Sequence, residues 1–543
     1  MADRDPDDLE RRGRSTMAYA RAAETAVVTG VRGPGSEVPS GAGTSEPHGD
    51  RRAPLELISG LCRALDEGRV RYCHWKSNEA LARSASGEND LDLLVSRSDA
   101  ARFEEILRRF GFKDARLPRW KELPGIWHTY ALDEASGTLV HIHAHYRLVV
   151  GDDMTKTYHL PIEEPYLDSA IRAEPFMVPD PRFELAVFLV RMVLKHGSWD
   201  AIVSLQGSLS ASERRELGYL LDRADPEEAW SLLHRHLPLI DRELWERCLR
   251  AVQPGCAIGF RVRTAGRLAR RLAPVARRGR GVDTYLKLWR RGRTFVRRRL
   301  FRLPARPMQL GSAGLLIAIV GGDGAGKSTA VEDLSRVLGK GFRATTIHLG
   351  KPRRSPLSAV VKGAMHLAAS VRRSSTSSAA ALRTSLAGSN GGPMGPRNVA
   401  RLVWEVLTAR DRYRAFRRAR RAASNGAIVV CDRYPIPEIE LMDGAVSARM
   451  ADPAGRGRVV GYLARLERRY YDRIPYPDLL IVLRVHPDLA VLRKREERES
   501  YLRPRSEEIW RKDWSGTPAI VVDAGRPKAE VLSEIRSLVW SRL

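Results

Sequence analysis

The chain has 543 residues, enough for two to four domains with more than one full core. Its 92 Lys and Arg outnumber 65 Asp and Glu for a net charge of +27, so attraction to polyanions is the default expectation, met equally by a nucleotide enzyme, a nucleic-acid binder or an arginine-rich composition. Five cysteines scattered without C-x-x-C spacing argue against a zinc site or a disulfide framework, and no apolar run approaches the ~18 residues of a membrane span.

Residues 1–52 are rich in Gly, Ser, Pro, Arg and Glu, show almost no apolar periodicity and read as a disordered tail. The opening MADRDPDDLE has no basic n-region followed by an apolar core, so no signal peptide is expected, and with the free cysteines a cytoplasmic location is. From residue 54 Leu55, Ile58, Leu61, Cys62 and Leu65 fall at helical spacing and mark the start of a folded α+β domain over 53–255.

Within it, Asp90 and Asp92 alternate with Leu91, Leu93 and Leu94, so on a strand both carboxylates share a face and can hold a divalent cation that bridges phosphates. Residues 139–145, LVHIHAH, form a further strand with His141, His143 and His145 on one face. Three histidines on a single strand chelate poorly, because the first and last lie about 13 Å apart, so a structural or substrate-contacting role is expected for them. Residues 182–195 form a strongly apolar helix, and 212–250 further amphipathic helices with Trp230 and Trp245 in the core.

Residues 260–303 are almost without acid, Asp283 being the exception, while Leu286, Trp289, Phe295, Leu300 and Phe301 interleave with arginines. The stretch, part of a basic helical linker over 256–312, suits either a solvated connection packed on its neighbours or an amphipathic helix on an anionic membrane surface or polyanion.

The strongest signal is 315–334, LLIAIVGGDGAGKSTAVEDL. An apolar, β-branched run bounded by glycines reads as a buried parallel strand, and Gly321, Gly326, Lys327 and Ser328 fit the phosphate loop G-x-x-x-x-G-K-[ST]. Gly321, Gly322, Asp323, Gly324, Ala325, Gly326, Lys327, Ser328 and Thr329 are the expected ATP cradle. Its N–H groups and the helix that follows face the polyphosphate, Lys327 reaches the β- and γ-phosphates, and Ser328 binds Mg²⁺. A strand over 343–349, a mobile or partly helical insertion over 351–398 and a helix over 399–424 follow. The strand at 427–431 delivers Asp432, Arg433 and Tyr434 at its C-terminal end, where ligands bind in open α/β sheets. Further strands are expected at 476–485 and 519–522 before a last helix, giving a three-layer α/β/α domain over 313–543.

Two resemblances follow from these residues. GGDGAGKST, VVCDRYP, PDLLIVLRV, RKREERESYLRPR and VVDAG occur in the order and spacing of the thymidylate kinase family of nucleoside monophosphate kinases, which the domain from about 313 resembles. The resemblance implies ATP and Mg²⁺ as cofactors, Asp432 positioning Mg²⁺ and the acceptor, and Arg433 clamping the acceptor phosphate. It also implies Arg412 and Tyr434 in the acceptor pocket, with Arg493, Arg495, Arg498, Arg503 and Arg505 in a lid. Val320 stands where that family has Glu, and LGKPRRSPL replaces its Arg-Glu-Pro-Gly-Gly-Thr segment, so ATP-dependent phosphoryl transfer is better supported than thymidylate as acceptor. Residues 54–250 resemble the nucleotidyltransferase fold, with Lys76 and Ser77 in place of its Gly-Ser pair and histidines in place of its third carboxylate. Ser77, Asp90 and Asp92 then mark a second site, active or degenerate, unless the two acids are simply exposed at a strand end. The expected partners are a nucleotide or other phosphorylated small-molecule acceptor, an anionic surface weakly held through 260–303, and a second copy of the chain as homodimer. Alternatives are a kinase for a sugar or cell-envelope intermediate and a nucleotide-regulated binding protein.

Overall fold

The structure, a computed structural model, describes residues 53–118, 120–123, 125–198, 208–300, 308–350, 352–356, 358–363, 396–442, 444–449, 457–494 and 496–543. The expected tail and most of the expected insertion lie outside these residues, as do Phe301 and Arg495.

The N-terminal half is built on a mixed sheet. Strands β1 (Tyr72–His74), β2 (Leu91–Val95), β3 (Lys113–Arg116), β4 (Ile126–Asp133) and β5 (Thr138–His145) lie in the order β1-β2-β5-β4-β3, with β2 and β5 parallel and the other pairs antiparallel. Two hairpins follow, β6 (Leu148–Val150) with β7 (Tyr158–Leu160) and β8 (Ile171–Ala173) with β9 (Phe176–Val178). Period-two alternation sorts β5: Val140, Ile142 and Ala144 enter a core with Phe103 and Leu107, whereas Leu139 and the three histidines take the other face.

The helix Pro181–His196 starts on a firm signal, Asp180 accepting from the Arg182 N–H and Pro181 in the first turn. It is apolar almost all round because it is surrounded, and with the helices Ala211–Leu221, Pro226–His236, Arg242–Val252 and Ile258–Arg271 it forms one large core. Trp245 is fully buried there. The basic helix Arg280–Phe295 is anchored through its polar residues. Arg291 pairs with Asp152 at 2.7 Å, Arg290 donates to the Met154 carbonyl, and Asp283, paired within the helix to Lys287 at 2.8 Å, accepts from Thr157. Tyr285, Leu288, Trp289 and Phe295 stay exposed.

The chain then adds β10 (Gln309–Leu310) to the free edge of β3 before entering a second sheet. Strands β11 (Leu315–Gly321), β12 (Ala344–His348), β13 (Ile428–Asp432), β14 (Leu479–Arg484) and β15 (Ala519–Asp523) are all parallel, in the order β12-β13-β11-β14-β15. Residues of β11 alternate between two cores, Ile317 and Ile319 on one side and Leu316, Ala318 and Val320 on the other, which is why the strand reads as an unbroken apolar run. The α/β class with a parallel sheet, expected from the sequence, is the fold observed.

The two halves share a core. Ala115, Tyr130, Leu132 and Leu139 from the first sheet pack in one cluster with Phe342, Ile535, Val539 and Trp540, and Trp540 Nε1 donates to the Gly111 carbonyl at 3.0 Å.

Candidate functional site

The phosphate loop leaves β11 at Gly321 and enters the helix Lys327–Leu338. Gly324 and Gly326 have φ of 84° and 89°, in the left-handed region that glycine tolerates, and a Cβ on Gly324 would stand 2.7 Å from the Ala490 carbonyl oxygen. A Cβ on Gly326 would meet nothing, and Gly326 and Ser328 are exposed, so this side of the loop is open. Lys327 is buried, donating to the Gly321 and Gly322 carbonyls at 3.0 and 2.7 Å.

Asp323 is the electrostatic hub. Its carboxylate lies 3.0 Å from Arg505, 3.4 Å from Arg433 and 3.8 Å from Lys327, with 5% of its side chain exposed. Burial alone would raise its pKa, but Lys327, Arg433 and Arg505 outweigh burial and hold the carboxyl below its ordinary value. Three cations from the loop, the end of β13 and a C-terminal helix thereby converge on one point, and a polyphosphate on the loop's N–H groups would meet the same three.

Asp432 ends β13 in register with Ile319 of β11 and His348 of β12. His348 Nδ1 is 3.3 Å from Oδ2, whereas Oδ1 is buried without a hydrogen-bond partner. An orphaned carboxylate oxygen at this strand end is a donor of the kind that suits Mg²⁺, which takes one or two carboxylates and completes its shell with phosphate and water. Arg433 follows with φ of 55°, a left-handed conformation costly for a side chain, which the surrounding structure holds in place.

Among the described lid arginines, Arg505 is the one that meets the loop. Arg503 is drawn outward to Asp488 and Glu499, Arg493 donates to the Ala524 carbonyl, and Arg498 is exposed at the start of the helix Glu499–Arg511. That helix packs onto the loop itself, since a Cβ on Gly322 would lie 2.8 Å from Ser506 Oγ. Two residues expected in the acceptor pocket are buried and bonded to the scaffold. Tyr434 is turned into the core with its hydroxyl donating to the Pro475 carbonyl at 2.6 Å. Arg412 is 2% exposed and donates to the Leu349 and Gly350 carbonyls and the Tyr471 hydroxyl, so it pins the segment that follows β12.

No family model matches the chain. It is 28% identical over 237 residues to the Uncharacterized ATP-binding protein YghR of Escherichia coli strain K12, a span covering 41% of this chain and 86% of that protein. The same figures hold for the protein of that description from Escherichia coli O6:H1 strain CFT073.

The residues expected at a second site lie on the N-terminal sheet and beside it. Asp92, on β2, is paired with His143 of β5 and sits 3.0 Å from Lys76 Nζ, while Asp90 lies 3.0 Å from His141 Nδ1. Burial would raise the pKa of Asp92, but Lys76, the hydrogen bond with His143 and the nearby His145 imidazole at 3.7 Å hold it well below the carboxylate range. Ser77, with φ of 61°, donates its N–H to Glu216 at 3.0 Å. A cavity of about 200 Å³ adjoins, lined by Trp75, Lys76, Lys156, Arg191, Lys195 and Glu216 among others. Burial, with Lys76 nearby, brings the Lys156 ammonium down to about 8. The sequence reading missed Asp323 as the hub, His348 against Asp432, and His128, which β4 places opposite His143.

Proposed function

We propose that the chain is an ATP-dependent phosphotransferase of the nucleoside monophosphate kinase type, thymidylate kinase-like in its C-terminal site. The observation that carries the reading is the convergence of Arg433 and Arg505 on Asp323 beside Lys327, with the unpartnered Asp432 oxygen at the next strand end. The similarity to proteins described as ATP-binding supports the nucleotide part.

In this reading the loop N–H groups and Lys327 hold the ATP phosphates. Arg433 clamps the acceptor's phosphate bidentately, and Arg505 exchanges part of its contact with Asp323 for the phosphoryl group in flight. Asp323 keeps both guanidinia aimed at the loop before substrate arrives, so little reorganisation is needed when charge develops. Asp432 and Ser328 would hold Mg²⁺, which neutralises charge on the β- and γ-phosphates when bound. The helix Glu499–Arg511 excludes water that would compete as acceptor. The exposed aromatic face of Arg280–Phe295, set among arginines, is proposed as a separate weak contact with an anionic surface.

The test is ATP consumption by the purified full chain against a panel of nucleoside monophosphates and unphosphorylated sugars, with Lys327→Ala as control. A monophosphate-dependent ADP release lost in Lys327→Ala supports the proposal. An unphosphorylated sugar that outperforms every monophosphate, or turnover unchanged in Lys327→Ala, refutes it.

A further inference from the structure

The histidines of the N-terminal sheet form a set that no strand supplies alone. His141 and His143 project from one face of β5, and His128 projects from the same face of β4, directly opposite His143 in the antiparallel register. One ring nitrogen from each lies within 4.8 Å of the others, and His128 Nδ1 is 3.4 Å from His141 Nε2. Two nitrogens bound tetrahedrally to one zinc ion at ~2.0–2.1 Å are themselves ~3.3–3.4 Å apart, so this pair already has the spacing of two ligands on one ion. Drawing on the neighbouring strand removes the geometric objection to three histidines in a row.

The outer surroundings fit as well. His141 Nδ1 lies 3.0 Å from Asp90 Oδ1, and His143 Nδ1 lies 3.2 Å from Asp92 Oδ1. Each carboxylate takes the Nδ1 proton and so leaves the Nε2 lone pair of its imidazole for the cluster, the arrangement in which metal-ligating histidines are held. Tyr130 stacks on His141 with ring centroids 4.0 Å apart and fixes that ring further. We propose that His128, His141 and His143 bind a transition-metal ion of the Zn²⁺ class, with Asp90 and Asp92 as the outer carboxylates that orient two of the imidazoles. Three nitrogens do not suit Mg²⁺, which demands oxygen ligands, so this site is distinct in chemistry from the one at Asp432. His128 and His143 are partly exposed, which leaves the fourth position to water or an incoming ligand. A second grouping, Asp92 with His143 and His145, has similar spacing, but the Lys76 ammonium already sits 3.0 Å from Asp92 and would repel a dication there.

The experiment uses the full-length protein, free of any affinity tag and stripped with chelator, titrated calorimetrically with Zn²⁺ and separately with Mg²⁺, with Co²⁺ as a spectroscopic probe. Expected are one Zn²⁺ per chain, no Mg²⁺ heat from this site and visible ligand-field bands of four-coordinate Co²⁺. His128→Ala and His143→Ala should each lose stoichiometric uptake. Asp90→Asn, at a side chain about half exposed and so safe for folding, should weaken Zn²⁺ by about 10–100-fold. His159→Ala, whose ring pairs with Glu163 at 2.7 Å outside the cluster, should bind as wild type. Absence of saturable Zn²⁺ uptake by the wild-type chain overturns the proposal. So does wild-type affinity in both His128→Ala and Asp90→Asn, or loss in His145→Ala alone with binding kept in His128→Ala.

Discussion

Arg505 offers the sharpest test of the site, because its neighbour Arg503 is a built-in control on the same helix. The Arg505 guanidinium is 11% exposed and 3.0 Å from an Asp323 side chain exposed by 5%. At an effective dielectric constant near 20, two unit charges at that distance attract by about 5–6 kcal/mol before desolvation is charged against them, enough to hold the guanidinium at the loop. When phosphoryl charge develops there, removing one preorganised donor costs about 2.7–4 kcal/mol, or about 10²–10³ in kcat. Arg503 meets Asp488 and Glu499, half or more exposed, and such surface pairs contribute at most about 1 kcal/mol to anything. Arg505→Ala should therefore lower ADP release by two to three orders of magnitude, on the scale of that same donor loss, and Arg503→Ala by less than about twofold. Coupled-assay kinetics, with circular dichroism confirming the fold, decide it. Equal losses in both variants, or an unaffected Arg505→Ala, would refute the assignment.

Arg433→Lys keeps the charge and loses the fork, so the acceptor KM should rise by about 10–100-fold, the worth of one charge-assisted hydrogen bond, with ATP affinity from fluorescent-analogue titration nearly constant; a KM that stays put counts against a phosphate clamp. Burial pushes the Glu184 carboxyl from its ordinary 4.5 up to about 8. The folded state thus keeps a proton that the unfolded chain releases, and stability falls as pH rises between those values, by up to a few kcal/mol. Glu184→Gln should flatten the Tm profile across that window; an unchanged slope would place the titration elsewhere. Trp540→Ala, losing a 5%-exposed side chain and its bond to Gly111, should cost about 3–5 kcal/mol in denaturant unfolding, and a loss under 1 kcal/mol would show that the shared core is not well packed there.

The parallel sheet was legible because its strands are fully buried: LLIAIV, AIVVC and LLIVL are too apolar and too short for anything else, and the first two end on the residues of the site. The choice among five lid arginines was not legible from composition, since all carry the same charge. It was latent in phase, because Leu502, Ser506 and Ile509 mark the buried stripe of Glu499–Arg511, and Arg505 borders it while Arg503, two residues away, turns outward. His128 was hidden for another reason: strand register pairs residues symmetrically about a turn, and the turn at 134–137 had to be placed before His128 could be set against His143. Tyr434 was misleading because an aromatic beside a site arginine reads as a ligand contact, yet the strand end turns it inward to Pro475.

The apolar seam between the halves bears on how the molecule can be taken apart. A cut between β10 and β11 would strip Leu132, Leu139 and Tyr130 from one fragment and bare Phe342, Val539 and Trp540 on the other, leaving each with a hydrophobic scar prone to self-association. The fragments are therefore suited to reconstitution: produced together, they should recombine as a noncovalent pair, and neither is the natural unit in which to isolate one activity. The same seam carries Tyr130, which touches Phe342 on one side and His141 on the other, so the histidine cluster leans through it against the scaffold of the phosphate loop.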